Sequence, residues 1–307
     1  MPTAYLSHPS CFAHLAGCGH PECPERLSAI QDRLVSTGVF DLLHEFEAPR
    51  ATIEELERVH TKDYIQRLLA TAPDSGTVFL DADTPMDSNT LEAARRAAGA
   101  VIHATDLVMK SEATDAFCNI RPPGHHATRD KAMGFCFFNN IAVGAAHALE
   151  TWGLKRVAII DFDAHHGNGT EDIFQDESRI LFCSAFQRDL FPSTEIAEST
   201  DRIANIELGF GAGGESFREV VRRIWSPALD EFRPEMIFVS AGFDAHAADS
   251  ISDLAFSDDD YRWITEWIVD AAGRHAGGRL VSALEGGYDL EPLGRCAALH
   301  VRTMMGI

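Results

Sequence analysis

The chain has 307 residues, 45% of them hydrophobic, enough for one large α/β domain or two small ones. It carries 26 basic and 47 acidic side chains, a formal net charge of -21. That balance excludes nucleic acid and anionic membrane as partners, since both need a basic footprint, and leaves solubility or attraction of a cationic substrate as its meaning.

The first residues, Met1-Pro2-Thr3-Ala4-Tyr5-Leu6, hold no basic stretch and no long apolar run. With no run of membrane-spanning length further on, no signal peptide and a cytoplasmic location are expected. Residues 3–7 read as a strand. Cys11, Cys18 and Cys23 cluster with His14 and His20. Their spacing fits no common zinc motif, and the seven scattered cysteines read as reduced thiols. Pro24-Glu25-Arg26-Leu27 opens a helix with Pro and Glu where helix starts favour them. Leu27, Ile30, Leu34 and Val35 are its expected apolar stripe. Residues 54–70 read as helix, broken near His60-Thr61. Residues 91–109 are helical, 115–120 a strand, and 140–152 an Ala-rich helix. The alternation continues with strand 157–161, short helix 170–176 and strand 180–184. Helix 215–232, strand 236–241, helix 258–275, strand 280–284 and a helical tail follow. No linker, repeat or charge block interrupts them. This order predicts a doubly wound α/β domain over residues 1–307, with a central, mostly parallel sheet flanked by helices.

In such sheets ligands bind beyond the carboxyl ends of the strands. The chemically notable residues follow strands in that way. Asp161-Phe162-Asp163-Ala164-His165-His166-Gly167-Asn168-Gly169 ends the apolar run 156–160. Side chains two apart on a strand point the same way, so Asp163 and His165 can aim at one point. With Asp244 from Ser240-Ala241-Gly242-Phe243-Asp244 they make a three-ligand set with room for water and substrate. Such a metal would activate water against an amide, and a base and an acid would then be needed. The adjacent His125 and His126 can serve, oriented by Asp161 and Asn168 as in a triad. Tyr288 can give the hydrogen bond that a developing oxyanion wants.

Five stretches together resemble the zinc-dependent histone deacetylase family, over nearly the whole chain. They are Arg121-Pro122-Pro123-Gly124-His125-His126-Ala127, Gly134-Phe135-Cys136-Phe137-Phe138-Asn139-Asn140, residues 161–170, residues 240–244 and Glu285-Gly286-Gly287-Tyr288. Asn168, with His20-Pro21-Glu22 ahead of Pro24-Glu25-Arg26-Leu27, is similar to the class II branch and its bacterial amidohydrolase relatives. The resemblance implies the three-layer arginase/deacetylase fold and zinc on Asp163, His165 and Asp244, with ferrous iron as the alternative. It implies a structural potassium near Asp161, Asp163, His165, Ser184 and Ala185. It makes His126 the main base and acid, His125 with Asp161 its electrostatic partner, and Tyr288 the carbonyl donor. Phe135 and Phe191 would wall an acyl-lysine tunnel lined by Gly134 and Gly286, with Asp83 and Ile251 at its rim. The implied partners are an acylated lysine or other acylated amine as substrate and acetate as product; a homo-oligomer is left open.

Two departures stand out. Phe186 occupies a position where many relatives carry His, and Asp249-Ser250-Ile251 replaces Asp-Pro-Leu. Ile251 also stands where polyamine-selecting relatives tend to place a carboxylate, which weakens that substrate class. An arginase-type ureohydrolase would need acids two residues beyond His165 and Asp244; Gly167 and His246 stand there, so a two-metal centre is rejected. A non-catalytic acyl binder would be expected to lack a ligand, a histidine or Tyr288, and all are present.

Overall fold

The computed structural model describes residues 2–192 and 198–307. The chain runs through β1 (Ala4–Ser7), α1 (Pro9–Ala13), α2 (Glu25–Ser36), β2 (His44–Glu47), α3 (Ile53–Leu56) and α4 (Lys62–Thr71). A hairpin of β3 (Thr77–Phe79) and β4 (Pro85–Asp87) leads to α5 (Thr90–Met109), β5 (Asp115–Cys118) and α6 (Asn140–Glu150). Then come β6 (Val157–Asp161), α7 (Asn168–Phe174), β7 (Ile180–Gln187), β8 (Ile203–Leu208), α8 (Gly214–Val220) and α9 (Ser226–Phe232). The chain closes with β9 (Met236–Ala241), α10 (Asp258–His275), β10 (Leu280–Leu284) and α11 (Leu290–Met304).

Eight strands form one sheet in the order β2-β1-β5-β10-β9-β6-β7-β8, and every neighbouring pair is parallel. Each residue of β6, β9 and β10 is buried, as apolar runs covered on both faces require. The pleat explains how the two covers form. Ser282 of β10 sits beside Val239 of β9, and its hydroxyl meets His300 Nε2 of α11 at 2.9 Å. Phe238, one residue before Val239, points to the other face, where its ring lies against Gly144 of α6. Helices α2, α10 and α11 pack together on the first face, and α5 with α6 on the second. The crossovers bring the carboxyl ends of β5, β6, β9 and β10 side by side.

The expected elements are all present, with shifts that have local causes. Val35 is 56% exposed, because it lies roughly 100° around the helix from Leu34 and off the buried stripe. The break near His60-Thr61 separates α3 from α4, where Thr61 caps α4 by accepting from the Tyr64 N–H. Strand β7 extends to Gln187, so Ser184 and Ala185 lie inside it rather than at its end. Residues 215–232 remain helical, but Val221–Trp225 is a π-helical stretch. Pro227 follows it, and proline has no N–H for the regular ladder. Strands β2 and β8, helix α1 and the β3–β4 hairpin were not expected.

Candidate active site

Strand β6 ends in Asp161, and the chain beyond it folds back so that alternate groups meet. His165 Nδ1 lies 3.0 Å from Asp163 Oδ1 and 2.9 Å from Asp244 Oδ2. One donor atom from each of these three buried residues falls within 4.8 Å of the others. Backbone N–H groups aim the carboxylates: Gly286 donates to Asp163 Oδ2 at 2.8 Å and Ala164 to Asp244 Oδ1 at 2.8 Å. Asp244 Oδ2 is buried and accepts no hydrogen bond. Glycine is required beside it, because a Cβ on Gly286 would sit 2.6 Å from Asp163 Oδ2. Burial and Asp163 push the Asp244 carboxyl up to about 6. Burial resists charge on His165, yet Asp244 and Asp163 push it up to about 10. A buried pair of carboxylates with an imidazole between them has the donor chemistry of a divalent-cation site.

The loop after β5 carries His125 and His126, with ring centroids 4.0 Å apart. His125 Nδ1 donates to Asp161 Oδ2 at 3.0 Å. Burial opposes its charge, but Asp163 and Asp161 push its pKa up to about 10. His126 Nδ1 donates to Asn168 Oδ1 at 2.8 Å, and the Asn168 amide is oriented by its own donation to Met133 Sδ at 3.5 Å. Burial and the His125 and His165 rings hold His126 well below the ordinary histidine value. The two imidazoles are thus pushed in opposite directions, and because His126 Nδ1 donates to Asn168, its Nε2 carries the ring's lone pair.

Aromatic rings stand over this centre. Phe191 meets His126 edge-on at 5.0 Å and lies 6.5 Å from His165. Phe135 meets the half-buried Tyr288 at 6.0 Å. Both Gly134 and Phe135 adopt positive φ, 56° and 68°, an unfavourable conformation for Phe that marks a constrained turn. A Cβ on Gly134 would lie 2.5 Å from His126 Cδ2 and 2.8 Å from Phe191 Cε1. Asp83 is half-buried at the tip of the β3–β4 hairpin, and burial and Asp81 raise its pKa. The neighbouring Thr84 hydroxyl accepts from the Phe135 N–H at 3.2 Å. Ile251 is half-buried and donates its N–H to Asp249 Oδ1 at 3.1 Å.

Three residues that the sequence left without a role hold the Tyr288 loop. Glu285 Oε2 accepts from the Gly124 and His125 N–H groups at 2.7 and 3.2 Å, and burial pushes its carboxyl up to about 7. Asp249 Oδ2 accepts from the Tyr288 and Asp289 N–H groups at 2.6 and 3.1 Å. Arg26 donates to the Gly287 carbonyl at 2.6 Å and to the Glu285 carbonyl, and its guanidinium lies 4.9 Å from the Tyr288 ring centre. Glu285 and Asp249 sat inside motifs that were read for their neighbours. Arg26 had only its helix-start position to mark it.

Other groupings behave differently. His14, from the amino-terminal cluster, pairs with Thr90 and Glu22, and that cluster forms no metal-ligand group among the described residues. His246 turns away from Asp244 to Asp258 Oδ1 at 3.0 Å. With Cys296 these make a second grouping, but Arg295 Nε lies 2.8 Å from Asp258 and already neutralises the carboxylate a cation would need. Ser184 is buried beside the Gly167 N–H, 3.5 Å away.

The chain as a whole is similar to known proteins. A model of the histone deacetylase domain matches residues 20–304. A histone deacetylase-like amidohydrolase of Pseudomonas aeruginosa is 39% identical over 299 residues, covering 95% of this chain and 78% of its own. A probable deacetylase of Archaeoglobus fulgidus is 37% identical, over 95% of this chain and 82% of its own. The crystal structure of the HDA15 HD domain superposes with a TM-score of 0.92 at 30% identity, covering 99% of this chain and 88% of the other. The fold is therefore the arginase/deacetylase fold, and the chain belongs to the histone deacetylase family.

Proposed function

We propose that residues 1–307 form one catalytic domain that hydrolyses the amide of an acylated lysine or related amine, releasing acetate. The observation that carries this reading is the adjacent imidazole pair, His125 bonded to Asp161 and His126 to Asn168, with the His126 ring 5.8 Å from His165 of the Asp163–His165–Asp244 cluster. Those three residues would hold one divalent ion, zinc by donor type with ferrous iron as the alternative; it would polarise the amide carbonyl and lower the pKa of a water there. His126 Nε2 then takes the proton of the attacking water. The C–O bond forms at the acyl carbon, the C–N bond breaks, and the proton passes to the departing amine. The His125 imidazolium favours the negative charge that develops. The Tyr288 hydroxyl donates to the carbonyl oxygen as it becomes an oxyanion. Phe135, Phe191, Gly134 and Gly286 line the way in for the substrate's apolar stem, with Asp83 and Ile251 at the rim. By family resemblance, a potassium ion would brace the loops near Asp161, Asp163, His165, Ser184 and Ala185. The net charge and the half-buried Asp83 beside Asp81 favour a cationic substrate end, which keeps acetylated polyamines as the second reading. Ile251 favours the peptide. No helix among the described residues is long and apolar enough to cross a membrane, and we take the site of action to be the cytoplasm.

A turnover panel of acetyl-lysine peptides, acetylpolyamines and longer acyl-lysines tests this proposal on purified protein. Acetate release from the first group is expected to be fastest. In the same assay Tyr288→Phe should lose roughly two to three powers of ten in rate. Its melting temperature should change little, since the contacts to Asp249 run through the backbone. Release of acyl group from no substrate would overturn the function. A Tyr288→Phe rate within a few-fold of wild type would overturn the oxyanion role.

A further inference from the structure

His60 lies outside the catalytic cluster, at the corner between α3 and α4, and is 3% exposed. Its two ring nitrogens meet two different chain segments. Nε2 accepts from the Asn139 N–H at 3.0 Å, so Nε2 carries no proton. The proton is therefore on Nδ1, which donates to the Thr128 carbonyl at 2.9 Å. Thr128 follows His126 by two residues, and Asn139 is the N-cap of α6. The imidazole thus bridges the loop of the two histidines to the start of a helix packed on the sheet.

Neighbouring bonds close the same frame. Asn139 Nδ2 donates to the Ala127 carbonyl at 3.3 Å and to the Thr170 hydroxyl at 3.0 Å, while Asn139 Oδ1 caps α6 through the Ala142 N–H at 3.0 Å. The Thr61 N–H donates to the Arg129 carbonyl at 2.8 Å, and the Tyr64 hydroxyl to the Phe137 carbonyl at 2.5 Å. Phe138 and Tyr64 rings enclose the imidazole at 5.5 and 5.4 Å. Only the neutral ring protonated at Nδ1 satisfies both partners. An imidazolium would set an N–H against the Asn139 N–H, and the other neutral tautomer would leave both partners unmet.

We propose that His60 is a positioning residue: it locks the His125–His126 loop against the N-terminus of α6 and so holds the His126 ring toward the catalytic cluster. This rests on the deacylase reading for its kinetic consequence, and on the hydrogen bonds alone for its structural one. Burial holds the His60 pKa down to about 4, which keeps the bridging tautomer in place at neutral pH. The role differs from that of Asn168, which touches His126 itself. His60 acts on the backbone that carries it.

His60→Leu keeps an apolar group in the enclosure and removes both bonds. Per folded, metal-loaded molecule, kcat on an acetyl-lysine peptide is expected to fall ten- to a hundredfold, with KM and metal content within twofold of wild type. His60→Gln keeps a donor and an acceptor on one amide and should recover most of that loss. Hydrogen exchange of residues 124–130 should quicken in His60→Leu, while α11 amides keep their wild-type rates. Should His60→Leu not fold, His60→Asn, too short to reach both partners, is read by the same two measurements. Unchanged kcat together with unchanged loop exchange would overturn the proposal. So would a fall in kcat that His60→Gln shares in full. Inactive wild-type protein would instead count against the deacylase reading, and loop exchange would still decide the role of His60.

Discussion

Asp244→Ala is expected to abolish binding of the proposed divalent ion and take hydrolysis of an acetylated amine down to background. Asp244 comes from the end of β9, where every strand residue is buried and the backbone is held on both sides by parallel pairing. Its Oδ1 is occupied by the Ala164 N–H, and its Oδ2 is buried with no hydrogen bond. This oxygen meets only the His165 ring, 2.9 Å away, and a buried carboxylate oxygen with no N–H donor of its own has a lone pair left for a cation. Removing even an outer partner of a metal ligand typically costs about ten- to a hundredfold in affinity, and removing the ligand itself should cost more. The fold should survive. The deletion loses one backbone-to-carboxylate hydrogen bond, worth about 1.5–3 kcal/mol, and relieves the repulsion from Asp163 that burial intensifies. Elemental analysis and melting temperature on the same preparation separate the outcomes. Metal retained at the wild-type level would contradict the ligand assignment.

His126→Ala is expected to lower turnover by about a hundred- to ten-thousand-fold while leaving the metal in place. The two neighbours have opposite electrostatics. Asp163 and Asp161 favour the charged form of His125, which makes it the poorer acceptor of a proton from water. His126 faces an amide, Asn168, in place of a carboxylate, and lies against two other imidazoles that disfavour its charge. It is the group of the pair with a free lone pair at neutral pH. His125→Ala should therefore cost less than His126→Ala, through loss of field rather than loss of the base. Equal rates for the two variants, near wild type, would sink the division of roles.

Much of the fold was legible because burial on both faces writes continuous apolar runs. Val157–Asp161, Met236–Ala241 and Leu280–Leu284 each begin and end where they were expected. Strand β2 was not, because His44-Glu45-Phe46-Glu47 is an edge strand with three of its four residues exposed. It has no apolar run, and only its pairing with β1 makes it a strand. The Asp163, His165 and Asp244 grouping could be read from spacing and strand ends. The groups that hold the loops of the candidate site could not. Arg26 reaches a carbonyl 261 residues away, and His60 an amide 79 residues away. Their partners are backbone atoms, which carry no residue-type signal at all. A lone His at a helix break reads as nothing more until the chain is folded around it.

We propose that this family member hydrolyses an acetyl amide at the Asp163–His165–Asp244 site with a divalent ion. Acetate released from an acetyl-lysine peptide, measured on chelated protein before and after stoichiometric zinc is restored, tests it most directly. No release is expected from the chelated protein and recovery with one added equivalent, in wild type but not in Asp244→Ala. Full release from metal-free protein would contradict it.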